Sequence, residues 1–283
     1  MAGSCSSGAR WPTGRPRRTR RPRKSGRPAI KLDRVIRHIE FASIYNFRDV
    51  GGYAAKDGQT VRWQRLYRAD SLGWLAGDDL ITFQALKVRT VIDLRHPFEV
   101  ERTGRVPDSD GLDYRNLPIE GRRWDINTYD DRLGVGRYLA DRYLEVTEDG
   151  IDNLRSAIET ISQSGSAPVV VHCAAGKDRT GLLTALILSL VGVADEDIID
   201  DYALTGLATE RFIASWQRRH PNATRWPGFG VAPAEAMRLF LADLTARHGS
   251  VAKYCTDVLQ VDAGIIEELQ KSLLSRTEPI SGG

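Results

Sequence analysis

The chain has 283 residues, 41% hydrophobic and 27% charged, the composition of a globular protein. A collagenous, wholly disordered or disulfide-framework chain is excluded, and there is apolar surface enough for a core. The formal charge of +3 is uneven: residues 1–28 hold nine basic side chains and no acid, so the remainder is about −6 by formal count, which excludes a domain that is basic throughout.

In chain order, residues 1–30 come first. They are rich in Arg, Pro, Gly and Ser. Such a segment cannot offset its ordering entropy, so a disordered basic tail is expected, one able to contact anionic surfaces. No apolar stretch follows it, so the Arg17-Arg18 and Arg20-Arg21 pairs do not read as an export signal. A cytoplasmic location is expected, with unconventional export left open. From 31 to 283 the pattern is that of one domain. Strands are expected at 65–69, 90–94, 112–117 and 167–172. Helical periodicity falls at 78–87, 135–147, 151–163 and 179–191. Strands separated by helices predict an α/β fold with a mostly parallel central sheet flanked by helices. After residue 195 the pattern holds no strand. Helices are expected at 195–217, 233–248, 250–258 and 263–274, making the C-terminal third helical. The most apolar run, GLLTALILSLVG at 181–192, is too short to cross a membrane and reads as a buried helix.

The chemistry concentrates in residues 169–181, VVVHCAAGKDRTG. A buried strand ends at His172, a loop of small residues follows, and a helix starts near Arg179. Such a loop turns successive N–H groups inward as an anion-binding nest. The helix start adds unpaired N–H groups and a positive dipole end. Arg179, six positions after Cys173, can return its planar fork over the same cavity and grip two oxygens of a tetrahedral anion. The same surroundings favour a thiolate at Cys173. It would stand in line with a bound phosphoryl group, giving a cysteinyl-phosphate intermediate. Thr180 is placed to donate a hydrogen bond to that thiolate. The segment is not a Walker loop, because Asp178 follows Lys177 and Val171 stands where the first Gly belongs. It is not a zinc site, because no second Cys/His pair lies near. A buried cysteine at a strand end is the bland alternative.

HCAAGKDRTG resembles the signature loop, Cys-five-residues-Arg, of the cysteine-dependent protein tyrosine phosphatases. The version is that of a bacterial group, some of whose members are described as atypical lipid phosphatases. Residues 46–53 (NFRDVGGY), 67–72 (YRADSL), 91–95 (VIDLR), Asp201-Tyr202 and 247–250 (RHGS) are similar to further motifs of that group. The resemblance spans about 40–275. It implies the cysteine-phosphatase fold and hydrolysis of phosphotyrosine and broader phosphoesters, with no metal or other cofactor. It implies Cys173 as nucleophile and Arg179 as the phosphoryl grip. Backbone amides from Ala174, Ala175, Gly176 and Lys177 onward complete the cradle. Asp178 is implied as general acid/base, with Asp93, at a strand end, as its rival and as a further contact to substrate. Lys177 is expected as a second cation at the rim, which makes a phosphoinositide the alternative substrate. A non-catalytic phospho-binding module and a sulfur-transfer enzyme are the rival classes.

Other features are read as structural. Trp226-Pro227 lacks the following Asp of an acid loop and reads as a turn. Gly51-Gly52 reads as a turn needing positive φ, braced by an Arg48–Asp49 pair. His172 is expected to hold the loop through its side chain, and Cys255 to be inert core. Residues 121–143, with Trp124, Tyr129 and Tyr138, are expected to form part of a cover over the site.

Overall fold

The computed structural model describes residues 37–122, 124, 128–222 and 225–276. The expectations for the basic tail lie outside these residues. Strands β1 (Arg48–Asp49), β2 (Gln59–Val61) and β3 (Leu66–Ala69) come first. Helix α1 (Asp78–Ala85), β4 (Thr90–Asp93), α2 (Pro97–Thr103) and β5 (Asp113–Asn116) follow, then α3 (Gly134–Asp149), α4 (Ile151–Ser162) and β6 (Val169–His172). The remainder is α5 (Asp178–Leu190), α6 (Asp195–Ala203), α7 (Thr209–Arg219), α8 (Ala234–His248), α9 (Val251–Asp257), α10 (Ala263–Leu273) and β7 (Leu274–Arg276).

Among the described residues the central sheet has the order β1-β3-β6-β4-β5. All its pairings are parallel except β1 with β3. The fold is α/β with a mostly parallel sheet and a largely helical C-terminal third. β6 lies at the centre, with Ala69 and Asp93 both in register with His172. The ends of three strands are therefore level where Cys173 begins.

The unbroken apolar run in β6 has its reason in two cores. Val169 and Val171, with Leu66 and Ile92, face a core built with helices α3–α5 and α8–α10. Val170, with Tyr67 and Val91, faces a second core of Phe41, Ile44, Phe47 and Phe83. A strand buried on both faces has no polar face to alternate with. Helix α5 is buried almost throughout, so its apolar run belongs to the interior. No helix among the described residues is long and apolar enough to cross a membrane.

Two expectations are corrected, and one helix is added. Residues 195–217 are not one helix. A 3-10 turn at Leu204–Ala208 separates α6 from α7, where Gly206 weakens helical preference and buried Thr205 accepts hydrogen bonds from Asn46 and Arg48. The C-terminal third does contain a strand: β7 pairs with β2 in a small antiparallel sheet. Helix α2 was not foreseen. Pro97 opens it, and the Glu99 side chain caps it by accepting the His96 N–H at 2.9 Å.

Candidate active site

The loop after β6 is shaped from outside. Asn46 Nδ2 donates to the carbonyls of Ala175 and Gly176 at 2.9 and 3.0 Å. Arg68 Nη2 donates to Gly176 O at 2.8 Å, and Ser71 N to Ala174 O at 3.3 Å. The carbonyls thus point outward into partners. The amides of Ala174, Ala175, Gly176 and Lys177 have no acceptor among the described residues, as an anion nest requires. Gly176 makes the turn possible. Its φ is +62°, and a Cβ there would lie 2.4 Å from Ala69 O.

The groups that hold the loop are themselves locked. Arg48 donates to Asn46 Oδ1. Arg48 Nε and Arg68 Nη1 reach the buried Asp201 carboxylate at 3.3 and 2.5 Å, and Tyr53 OH donates to it at 3.2 Å. Burial alone would raise the Asp201 pKa, but the two guanidinium groups outweigh it and hold it at about 2. The expected Arg48–Asp49 pair is not formed. Asp49 instead accepts the amides of Gly51 and Gln64, both at 2.7 Å, while Arg48 turns to the site. Gly52 has the positive φ expected, +82°.

Cys173 is buried at the mouth of the loop. Arg179, in the first turn of α5, is held by Glu99: Nη1 to Oε2 at 2.6 Å and Nη2 to Oε1 at 3.0 Å. Glu120 Oε2 lies 3.5 Å from Arg179 Nε. Burial works against the guanidinium charge, but Glu99, Cys173 and Glu120 outweigh it and hold Arg179 charged. Cys173 and Arg179 are thus brought within electrostatic reach of each other. Glu99 stays a carboxylate because Arg179 and the His96 amide overcome its burial.

Asp178 opens α5. Its Oδ1 accepts the Tyr143 hydroxyl at 2.7 Å, and Tyr143 shares a 2.7 Å hydrogen bond with Tyr202. Burial first, then the Asp178 charge, keeps both phenols protonated.

Three of the expected contacts are corrected. Asp93 is wholly buried. Arg95 Nε and Nη2 hold its carboxylate at 2.9 and 2.6 Å, Tyr114 OH donates at 3.0 Å, and His172 Nε2 lies at 3.4 Å. With its oxygens so taken, Asp93 braces the strand ends. Lys177 is not a rim cation but is 4% exposed. Its Nζ donates to Val231 O at 3.0 Å and Gly228 O at 3.4 Å, and pairs with Asp178 at 3.2 Å. The turn at Trp226-Pro227 therefore reaches the site by holding this lysine. The Thr180 hydroxyl is fully buried and bonds to none of the described residues, so the bond expected to Cys173 is not formed.

His172 Nδ1 lies 3.3 Å from the Cys173 carbonyl. Burial pushes the imidazole down to about 4 against the pull of Asp93. Cys255 lies in the core, its thiol pushed up to about 12 by burial. Trp124 packs on Tyr143, and Tyr129 on Tyr138 and Trp226, so the described part of the expected cover borders the Asp178 and Lys177 side of the site. Residues 123 and 125–127 of it lie outside the described residues. No group of three or more His, Cys, Asp or Glu side chains among the described residues could hold a metal ion.

Sequence reading alone missed Glu99 and Glu120. Glu99 left a signal, its place three residues after His96 with Pro97 between, which is a helix-capping pattern. Glu120 left only its position just past β5.

A buried cysteine at the end of the central strand and an arginine in the first turn of the next helix, with a loop of unpaired amides between them, make the arrangement of a cysteine-dependent phosphatase. Residues 39–275 match the model of the tyrosine phosphatase family. A Cupriavidus necator protein that carries a tyrosine-protein phosphatase name is 31% identical over 242 residues, 79% of this chain and 85% of its own. The triple specificity protein phosphatase PtpB of Mycobacterium tuberculosis is 32% identical over 192 residues, 58% of this chain and 67% of its own. Among solved structures, the Siw14 catalytic core is 16% identical at a TM-score of 0.39, with 82% of this chain and 98% of that one covered, a likeness too distant to argue from. The chain belongs to the tyrosine phosphatase family.

Proposed function

We propose that this protein hydrolyses phosphotyrosyl side chains, and related phosphoesters, through a cysteinyl-phosphate intermediate. The observation that carries the reading is the cradle. The amides of residues 174–177 have no acceptor among the described residues while the loop carbonyls are tied back, and Arg179, kept charged with a share from Cys173, sits in the first turn of the helix that follows the loop. That arrangement recognises a tetrahedral dianion and leaves a sulfur to attack it. The names of the relatives support phosphotyrosine. The triple specificity in one name supports a site open to more than one phosphoester.

Sγ of Cys173 attacks phosphorus and expels the leaving oxygen, Arg179 and the loop amides holding the other oxygens. Water then releases phosphate. Asp178 takes the proton of that water, a role its acceptor bond from Tyr143 supports. The test is turnover of phosphotyrosyl peptides beside a phosphoinositide panel. Peptide hydrolysis that falls to background in Cys173→Ser is expected. Binding without turnover would indicate a phospho-binding module, and thiosulfate turnover without phosphatase activity a sulfur-transfer enzyme; either overturns the reading.

A further inference from the structure

We propose that Glu120 is a second catalytic carboxyl: it protonates the leaving oxygen in the first step, and Asp178 serves the water of the second. This rests on the phosphatase reading above.

The geometry of Arg179 is the starting point. Glu99 occupies both terminal nitrogens. The edge left to a phosphoryl group is that of Nε, and Glu120 stands there, 3.5 Å away. An ester held on that edge puts its bridging oxygen beside the Glu120 carboxyl. Glu120 lies in the segment that follows β5, at the sheet edge where β6 delivers Cys173. Its side chain is 14% exposed, open enough to exchange protons with solvent.

The two carboxyls have opposite surroundings. Asp178 accepts a proton-bearing hydroxyl from Tyr143 and pairs with Lys177, an arrangement that suits an acceptor. Among the described residues Glu120 has no such donor besides Arg179. Burial first, with Glu99 and Asp178 adding to it and Arg179 opposing, pushes Glu120 up to about 7. Among the described residues the charged groups facing it are Arg179 and Asp178 on α5 and Glu99 on α2. Arg122, in its own segment, is turned to Asp149. A carboxyl kept protonated by burial beside one that accepts hydrogen bonds divides acid from base.

The steps balance. Sγ forms a bond to phosphorus, the P–O ester bond breaks, and its electron pair takes the Glu120 proton to give the free hydroxyl. The Glu120 carboxylate left behind faces Arg179. Water attacks phosphorus, the S–P pair returns to Sγ, and the water proton passes to Asp178. Exchange with solvent then reprotonates Glu120 and deprotonates Asp178.

The test compares wild type, Glu120→Gln and Asp178→Asn on a phosphotyrosyl peptide, whose leaving phenol is weakly acidic, and on p-nitrophenyl phosphate, whose leaving phenol is far more acidic. With Glu120 as acid, E120Q lowers kcat/KM about a hundredfold or more on the peptide, much less on p-nitrophenyl phosphate, and removes the alkaline limb of the pH profile near neutrality. D178N keeps that limb, and its loss does not depend on the leaving group. Glu120→Asp, which keeps the carboxyl, restores the limb. Equal losses of E120Q on both substrates, a retained limb in E120Q, or leaving-group dependence in D178N would overturn the proposal. A wild type inert on both substrates would overturn the phosphatase reading itself, and this proposal with it. Thermal unfolding of E120Q at the wild-type temperature shows that the effect is not one of folding.

Discussion

Gly176 illustrates how much of the site hangs on single atoms. Its positive φ and its 2.4 Å Cβ clearance from Ala69 O leave no room for a side chain. A left-handed residue with a Cβ costs about 1–2 kcal/mol even without a clash. Gly176→Ala is therefore expected to move the loop and lower kcat/KM by more than about tenfold, since tenfold corresponds to about 1.4 kcal/mol. Steady-state kinetics beside thermal unfolding checks this, and a variant with wild-type kinetics would show that the loop does not need its turn. Asn46 acts at the same scale. Asn46→Ala frees two loop carbonyls and is expected to weaken phosphate binding, read as a raised inhibition constant for inorganic phosphate.

At the scale of elements, short segments aim the chemistry. Helix α2 has only seven residues, yet its capping Glu99 fixes the arginine of another helix. Glu99→Gln keeps the side-chain shape but loses the carboxylate. The guanidinium then loses a partly buried partner and samples other orientations, so kcat/KM is expected to fall together with a stability loss of about 1–3 kcal/mol, read by steady-state kinetics beside denaturant unfolding. The C-terminal pair α10 and β7 does the opposite. It closes the main core with Leu269, Leu273 and Leu274 and bonds back through Leu273 O to Arg62 N. Leu273→Ala is expected to cost about 2–5 kcal/mol of stability. Denaturant unfolding measures that loss, while kcat/KM of the folded enzyme at 25 °C should be retained.

At the scale of the whole molecule, the buried charges set the response to acid. Asp201 sits at about 2 when folded, below the ordinary carboxylate near 4. Its contribution is complete above about pH 4 and is lost as pH falls toward 2. His172 is pushed down to about 4, from an ordinary value near 6.5. The unfolded chain therefore binds the proton first, and stability from this residue falls between about pH 6.5 and 4. Stability should accordingly decline in two windows on acidification. Asp201→Asn leaves two buried guanidinium groups without their anion. It should shrink the lower window and cost about 3–5 kcal/mol at pH 7. Chemical unfolding across pH 2–8 reads both effects, and an unchanged acid profile in this variant would contradict the assignment.

What the sequence by itself determined lies along neighbouring residues. A two-sided apolar strand, a loop of small residues and a helix start place Cys173 and Arg179 within one short stretch, and local sterics and the hydrophobic pattern act over just such distances. The parallel sheet was legible for the same reason, because its strands and helices alternate in runs long enough to read. The irregular parts were not: β1 has two residues, β2 and β7 three each, and the break between α6 and α7 answers to Asn46 and Arg48 across the molecule. Only the tertiary structure decided which charges meet. Lys177 was drawn inward by the carbonyls of residues 228 and 231, Asp93 was claimed by Arg95 and Tyr114, and Arg179 received Glu99 and Glu120 from segments some sixty to eighty positions away. The partners of a buried charge are whatever groups packing brings to it, and packing joins segments whose separation along the chain carries no mark of their meeting.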